Sequence, residues 1–389
     1  MLRRVGVIGG GQLAQLLALA GQELGIQIWI QTPHPHDPAV GVASGVVWGS
    51  LQDAEATMRL AEQVEVITFE NEFVDVSALQ KLATQGVCFR PSLAALSPVL
   101  DKYQQRLFLQ HLGLPTPPCL AISHPPTPQQ IADLGGFPLV VKARRHGYDG
   151  LGTQMAGDPE SLQKILHQMG SQPLLLEAYI PFQRELAIVG ARSARGEIAL
   201  YPVVETIQQN QVCRWVVAPA AIPPSVESVA KAILQTILEH LDVVGLFGLE
   251  LFLTEQDKLL VNEISPRTHN SGHYTLDACA TSQFAQHLRA IGDLPLGDPH
   301  LTCLGAVMVN LLGFENAESD YPQQRQALAA LPQAHLHWYG KSISRPGRKL
   351  GHITLLAPPD LAAQDWSAYV RLITQQVAER WDPSWQPFR

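Results

Sequence analysis

The chain has 389 residues, 46% of them apolar and only 16% charged, which supplies several cores and excludes a chain kept disordered by its charge. Twenty-seven Lys and Arg against 35 Asp and Glu leave a net charge of −8, so broad binding to a nucleic-acid backbone is excluded, whereas a small phosphorylated ligand in a local basic pocket is not. Five single cysteines with no Cys-x-x-Cys pair argue against zinc-ribbon and thioredoxin-type sites and point to reduced thiols in a cytoplasm.

The first residues read as strand, not leader: two arginines precede an apolar run that breaks at Gly9-Gly10-Gly11. No run of about 18 apolar residues is present to span a membrane. Residues 5–8 predict a buried strand, Gln12–Leu24 a helix capped by Gly25, 26–30 a second strand, Ala54–Ala61 a helix and 64–69 another strand. This βαβ order predicts a parallel sheet covered by helices. A break at Arg90-Pro91-Ser92 precedes a helix over 101–112, and the prolines between 115 and 128 predict a rigid connector. Further strands are expected at Leu139–Ala143, 174–179, 185–189 and 197–202, with helices over Pro159–Met169 and 226–241. Strands over 248–253 and 259–264, joined by Thr254-Glu-Gln-Asp-Lys258, predict an antiparallel hairpin. The remainder of the chain mixes strands at 304–311, 335–339 and 352–356 with a closing helix over 361–379.

Gly9-Gly10-Gly11-Gln12 between a strand and a helix suits an anion at a helix N-terminus. A dinucleotide site also wants an acid at the end of the second strand, and there the chain reads Trp29-Ile-Gln-Thr-Pro33, with the first acid at Asp37. The glycine loop is therefore a phosphate or ribose contact, a tight turn without ligand, or, least in keeping with its surroundings, a nicotinamide site. In the hairpin, Glu250 and Glu263 sit in apolar strands, where carboxylates are costly without cations. Converging from adjacent strands, they suit Mg2+ bridging nucleotide phosphates. Ser265-Pro-Arg-Thr-His-Asn-Ser-Gly-His273 packs one guanidinium and two imidazoles together, as an oxyanion site would. Lys142 ends an apolar strand and can meet phosphates, and the loop with Gly147, Gly150 and Gly152 can approach a phosphate closely. Glu177 and Glu185 border a segment suited to a nucleotide linker. Lys341, Arg345, Arg348 and Lys349, with their neighbouring histidines, concentrate positive charge near the end of an acidic chain. They form either a solvated basic loop or a clamp for a phosphate monoester.

The order of these parts resembles the ATP-grasp superfamily, and within it the family of 5-(carboxyamino)imidazole ribonucleotide synthases. The resemblance rests on Gly-Gly-Gly-Gln-Leu (9–13), Thr-Phe-Glu-Asn-Glu (68–72), Gly-Tyr-Asp-Gly-Leu-Gly (147–152), Asn-Glu-Ile-Ser-Pro-Arg-Thr-His-Asn-Ser-Gly-His (262–273) and the basic segments 337–341 and 345–352. It implies a multidomain chain of α/β and α+β parts: a Rossmann-like N-terminal domain (1–100), an ATP-grasp core (101–296, with a lid over about 115–180) and a small C-terminal substrate-phosphate domain (297–389). By resemblance, Lys102, Lys142, Gly147, Gly150, Gly152, Glu177, Glu185, Asn262 and Glu263 bind ATP, and Glu250 and Glu263 hold Mg2+. Tyr148, Asp149, Arg267 and His269 form the reacting site. Gln12, Glu70 or Glu72, His269, Asn270, Lys341, Arg345 and Arg348 bind substrate. The implied reaction carboxylates 5-aminoimidazole ribonucleotide with bicarbonate and ATP in a cytoplasmic homodimer. A formate-dependent ATP-grasp formyltransferase and a non-catalytic nucleotide-binding module are the alternatives. One departure stands out: many ATP-grasp relatives carry Glu-x-Asn at the second metal position, whereas here Asn262 precedes Glu263.

Overall fold

The computed structural model describes residues 2–145 and 152–387. The chain opens with β1 (Arg4–Ile8), α1 (Gln12–Leu24), β2 (Gln27–Thr32), β3 (Gly45–Trp48), α2 (Ala54–Ala61), β4 (Val66–Phe69) and α3 (Val76–Thr84). The four strands form a parallel sheet in the order β3-β2-β1-β4. Val5, Val7 and Ile8 of β1 are fully buried, because helices cover both faces of a parallel sheet. Gly25 closes α1 in the left-handed region at φ 69°, a conformation that costs glycine little. The sheet and α1 also pack against Phe284, Leu288 and Ile291, which come from a helix far along the chain.

After the short α4 (Leu93–Leu96) come α5 (Lys102–His111), β5 (Cys119–Ile122), α6 (Pro128–Asp133), β6 (Leu139–Ala143), β7 (Thr153–Ala156), α7 (Pro159–Met169) and β8 (Leu174–Ala178). Their strands make an antiparallel sheet, β5-β8-β6-β7. The proline-rich stretch is thus no plain connector. Cys119–Ile122 is an edge strand paired with β8, and an edge tolerates flanking prolines because one side of its ladder is unused.

The rest is built on one nine-stranded sheet. It takes β9 (Phe182–Arg192), β10 (Ile198–Leu200), β11 (Val204–Gln209), β12 (Val212–Ala218), then, after α8 (Pro224–His240), β13 (Gly245–Thr254) and β14 (Leu259–Ser265). Beyond α9 (Thr275–Ala278) and α10 (Gln283–Ile291) come β15 (Ala306–Leu312), β16 (Ala317–Glu318), α11 (Pro322–Ala329), β17 (Ala334–Trp338), β18 (Ile343–Ser344), β19 (Lys349–Leu356) and α12 (Trp366–Trp381). The strand order is β14-β13-β9-β11-β12-β15-β19-β17, with β10 paired to β9 off this path and β16 with β18 forming a separate two-stranded sheet, so the C-terminal strands extend the central sheet through the β12–β15 pairing. Two strands without a clear sequence signal, β11 and β12, form a hairpin turned by Asn210 and Gln211 at φ 52° and 62°. A two-residue turn with both φ positive matches the twist of the strands it joins.

Candidate active site

The β13–β14 hairpin places Glu250 directly opposite Glu263, and the next pair is Leu251 with Val261. Asn262 is therefore the extra residue of a β-bulge. A bulge re-aims side chains beside it, and here consecutive residues serve one site: Asn262 Nδ2 donates to Glu250 Oε2 at 3.2 Å while its Oδ1 accepts from Lys142 Nζ at 3.2 Å. On the neighbouring β9, Glu185 pairs with Phe252 and Ala187 with Glu250, so Glu185, Glu250 and Glu263 share one face of the large sheet.

Cations meet this face from α5 and the smaller sheet. Lys102, at the first turn of α5, lies 2.6 Å from Glu263 Oε1. Lys142 Nζ lies 2.7 Å from Glu177 Oε2, and Arg106 Nε lies 2.6 Å from Glu177 Oε1. Burial pushes the Glu177 carboxyl up, but Lys142 and Arg106 overcome it and hold it down to about 2. Each Glu177 oxygen thus receives one cation, and through Oε2 the carboxylate holds Lys142 in place. Burial also works against the charge of Glu250; hydrogen bonding to His269 and the charges of His269, Lys102 and Lys142 nevertheless keep it below its ordinary range. Glu185, buried beside the Glu250 charge and only partly relieved by Lys142, is pushed up to about 7. Asp101 caps α5 by accepting from Tyr103 and Gln104 N–H groups, and it also receives Arg144 Nε at 2.9 Å. This fixes the base of the glycine loop. The Gly152 carbonyl accepts from Ala143 N–H at 2.7 Å. Gly147, Tyr148, Asp149 and Gly150 lie outside the described residues.

The polar run after β14 borders the same cleft. Arg267 Nε pairs with Glu72 Oε1 at 2.9 Å. Burial would lower its pKa, but Glu72 and Glu70 raise it. His269 Nε2 faces Glu250 Oε1 at 3.3 Å, and its Nδ1 meets Ser271 Oγ at 2.7 Å. Gln283, fully buried on α10, clamps the His269 main chain: it accepts from the N–H at 2.9 Å and donates to the C=O at 2.7 Å. Asn270, expected among the substrate contacts, spends its amide on a reciprocal pair with Asn310 at 2.8 and 3.0 Å. It anchors the loop to β15.

The substrate end gathers the remaining candidates around the N-terminal glycines. Gly9 has φ 128°, and a Cβ there would come within 2.5 Å of Glu70 Cβ; one at Gly11 would collide with the Glu70 carboxylate. The glycines are thus required by Glu70 beneath the loop. Burial raises the Glu70 carboxyl, opposed by its Asn71 hydrogen bond and by Arg267 and Lys341. Lys341 Nζ donates to Gln12 Oε1 at 2.7 Å and to the Lys349 carbonyl at 2.8 Å. Burial and the charge of Arg345 lower the Arg348 pKa, partly offset by Asp37, which puts both arginines in one charge field with the N-terminal domain. Asp37 itself accepts from Thr32 Oγ1 at the end of β2; the acid that the sequence lacked at this strand end is folded back to it. Sequence reasoning missed Asp101, Arg106 and Gln283, polar residues on or capping helices, as well as the bulge at Asn262. The signal available was a carboxylate or amide placed just where a helix starts.

Two antiparallel sheets, one presenting a lysine and the other carboxylates across a shared cleft, define an ATP-grasp enzyme. The ATP-grasp domain matches residues 107–284, the ribonucleotide synthetase preATP-grasp domain residues 2–99 and the phosphoribosylaminoimidazole carboxylase C-terminal domain residues 306–365. The chain belongs to the N5-carboxyaminoimidazole ribonucleotide synthase family. It is 58% identical to the protein of that name from Synechococcus elongatus over 91% of this chain and 89% of the relative. The synthetase structure from Thermus thermophilus is 34% identical with a TM-score of 0.87, covering 99% of this chain and 100% of that one. The Aspergillus clavatus synthase in complex with ADP and 5-aminoimidazole ribonucleotide is 32% identical with a TM-score of 0.87, covering 97% and 99%.

Proposed function

We propose that this chain carboxylates 5-aminoimidazole ribonucleotide with bicarbonate at the expense of ATP, giving 5-(carboxyamino)imidazole ribonucleotide, ADP and phosphate. The observation that carries this reading is the bulged hairpin, which sets Glu250, Asn262 and Glu263 against Lys102 and Lys142 with Arg267 and His269 alongside. Bicarbonate is a poor electrophile because its leaving group would be hydroxide. Transfer of the γ-phosphoryl group to a bicarbonate oxygen gives carboxyphosphate and ADP, after which the substrate amine attacks the carboxyl carbon and phosphate departs. The amine loses one proton in that step; by the family resemblance Asp149 is its acceptor and Tyr148 a further contact of the amine.

Lys102 and Lys142 neutralise the triphosphate, where charge stabilisation dominates phosphoryl transfer. Arg267 and His269 hold bicarbonate and the labile mixed anhydride, and Glu72 orients Arg267. Glu70 or Glu72 takes the ribose hydroxyls: Glu70 also accepts from Asn71, and Glu72 also pairs with Arg267. Lys341, Arg345, Arg348 and the Gln12 loop take the ribonucleotide phosphate. The donor set of Glu250 and Glu263 is hard oxygen, which fits Mg2+. Among the described residues no three His, Cys, Asp or Glu side chains cluster as a metal cage, and Mg2+ of this kind takes its other ligands from phosphates and water. When bound, Mg2+ supplies further charge neutralisation at the phosphates.

The division at about residues 100 and 296, the homodimer and the cytoplasmic location belong to the same proposal; among the described residues no helix is long and apolar enough to cross a membrane. The test is ADP release with and without bicarbonate and the aminoimidazole ribonucleotide. Release requiring both supports the reading. Dependence on formate in place of bicarbonate overturns it in favour of formyl transfer, and turnover unaffected by Glu263→Gln overturns the metal assignment.

A further inference from the structure

We infer that Arg106, assisted by Gln105, is a positioning residue that aims Lys142 and Glu263 at the nucleotide; it rests on the reading of those two side chains as facing the triphosphate. Arg106 lies one turn beyond Lys102 on α5, and both it and Glu177 are only 2% exposed. Its Nε donates to Glu177 Oε1 at 2.6 Å and its Nη2 to the Asn262 carbonyl at 2.7 Å. The other Glu177 oxygen receives Lys142. One guanidinium therefore joins α5, the smaller sheet through Glu177, and the large sheet through the bulge.

Gln105 extends this hold to the far side of the acid. Its Oε1 accepts from Ile264 N–H at 2.9 Å and its Nε2 donates to Ile264 C=O at 3.1 Å. The amide thereby occupies the place of a further strand along β14. The main chain is pinned at 262 and 264, and Glu263 between them faces Lys102 of the same helix. The two adjacent side chains thus fix an acid and, through Glu177, a lysine.

Stability alone does not account for the arrangement. A buried guanidinium–carboxylate pair roughly breaks even against apolar residues of the same volume. Arg106 even leaves Nη1 buried without a hydrogen-bond partner among the described residues. What the pair supplies is a fixed geometry: Lys142 is held at 2.7 Å from Glu177 and 3.2 Å from Asn262.

The test compares Arg106→Met, Arg106→Lys and the double variant Arg106→Met with Glu177→Gln in the full chain. Three quantities are read: the Kd of MgADP by titration calorimetry, the split between KM for ATP and kcat, and Tm. Arg106→Met is expected to weaken MgADP at least tenfold and to raise KM for ATP more than it lowers kcat. Arg106→Lys recovers affinity to within about threefold. The double variant removes the buried carboxylate that Arg106→Met leaves with Lys142 as its one remaining cation, so Tm returns while MgADP affinity does not. Unchanged affinity in Arg106→Met, or affinity returning together with Tm in the double variant, overturns the positioning role. Should Arg106→Met fail to fold, the other two variants decide by the same criteria. Failure of the unsubstituted chain to bind MgADP overturns the nucleotide reading itself, and is distinguished by needing no variant.

Discussion

Arg267 sits between Glu72 and Glu70, and its raised pKa follows from those charges despite burial. It stays cationic at any working pH, as the proposed hold on bicarbonate requires. Arg267→Ala is expected to abolish carboxylation while MgADP affinity changes by no more than a few fold, read by ADP release and calorimetry; equal loss of both would move Arg267 into the nucleotide site. Lys341→Ala is expected to raise KM for the ribonucleotide at least tenfold and KM for ATP less than twofold in steady-state assays, because its Gln12 contact belongs to the N-terminal loop. At this scale the convergence of Glu250, Glu263 and Lys142 on one cleft was legible because they interrupt apolar strands. Arg106 and Gln283 were not. A polar side chain on a helix reads as solvent-facing until its distant partner is known, and their partners lie 71 and 14 residues away.

The element that matters most is the bulged hairpin. The hairpin expected over 248–253 and 259–264 brings Glu250 and Glu263 together, as observed, yet with Glu263 on this face strict period-two alternation would have turned Asn262 to the other. The bulge is what lets an Asn-Glu dipeptide serve one site, where the Glu-x-Asn of many relatives uses plain alternation. Asn262→Ala keeps the bulge and is expected to raise KM for ATP by roughly threefold to tenfold, since only the amide contacts to Lys142 and Glu250 go. Deleting residue 262 restores regular pairing with Glu263 still opposite Glu250, but removes the amide together with the bulge whose carbonyl receives Arg106; it is expected to lower ADP release more than Asn262→Ala does while circular dichroism stays unchanged, and turnover equal to that of Asn262→Ala would count against the bulge. Helix α1 and its Gly25 cap were fully readable from apolar spacing and one glycine. The β11–β12 hairpin was not, because its turn is Asn-Gln and lacks the glycine that usually announces positive φ.

Across the molecule, His287 ties three parts together. Its Nε2 meets Thr68 Oγ1 at 2.8 Å on β4, and its Nδ1 accepts from Leu246 N–H at 3.1 Å on β13. That acceptor role requires the neutral ring, and burial lowers the pKa to about 4. The unfolded chain takes up a proton near pH 6.5 that the folded chain refuses until about pH 4. This contribution to stability is therefore present above pH 6.5 and lost as pH falls toward 4. Tm measured between pH 7 and 4 should decline, and His287→Met should flatten that decline while costing about 1–3 kcal/mol for each polar group left unpaired. The overall parallel-sheet domain was legible from the βαβ order. The union of the C-terminal strands with the central sheet was not, since β12 and β15 lie far apart in the chain and nothing local in either marks its neighbour.

That union decides where the polypeptide can be cut. A fragment ending near residue 296 would lose β15 and bare the backbone donors and acceptors of β12 along Trp215–Ala218, a raw border that recruits other chains into aggregates. The nucleotide-binding half should accordingly be insoluble when expressed by itself, and limited proteolysis should release no durable core lacking the strands from β15 onward.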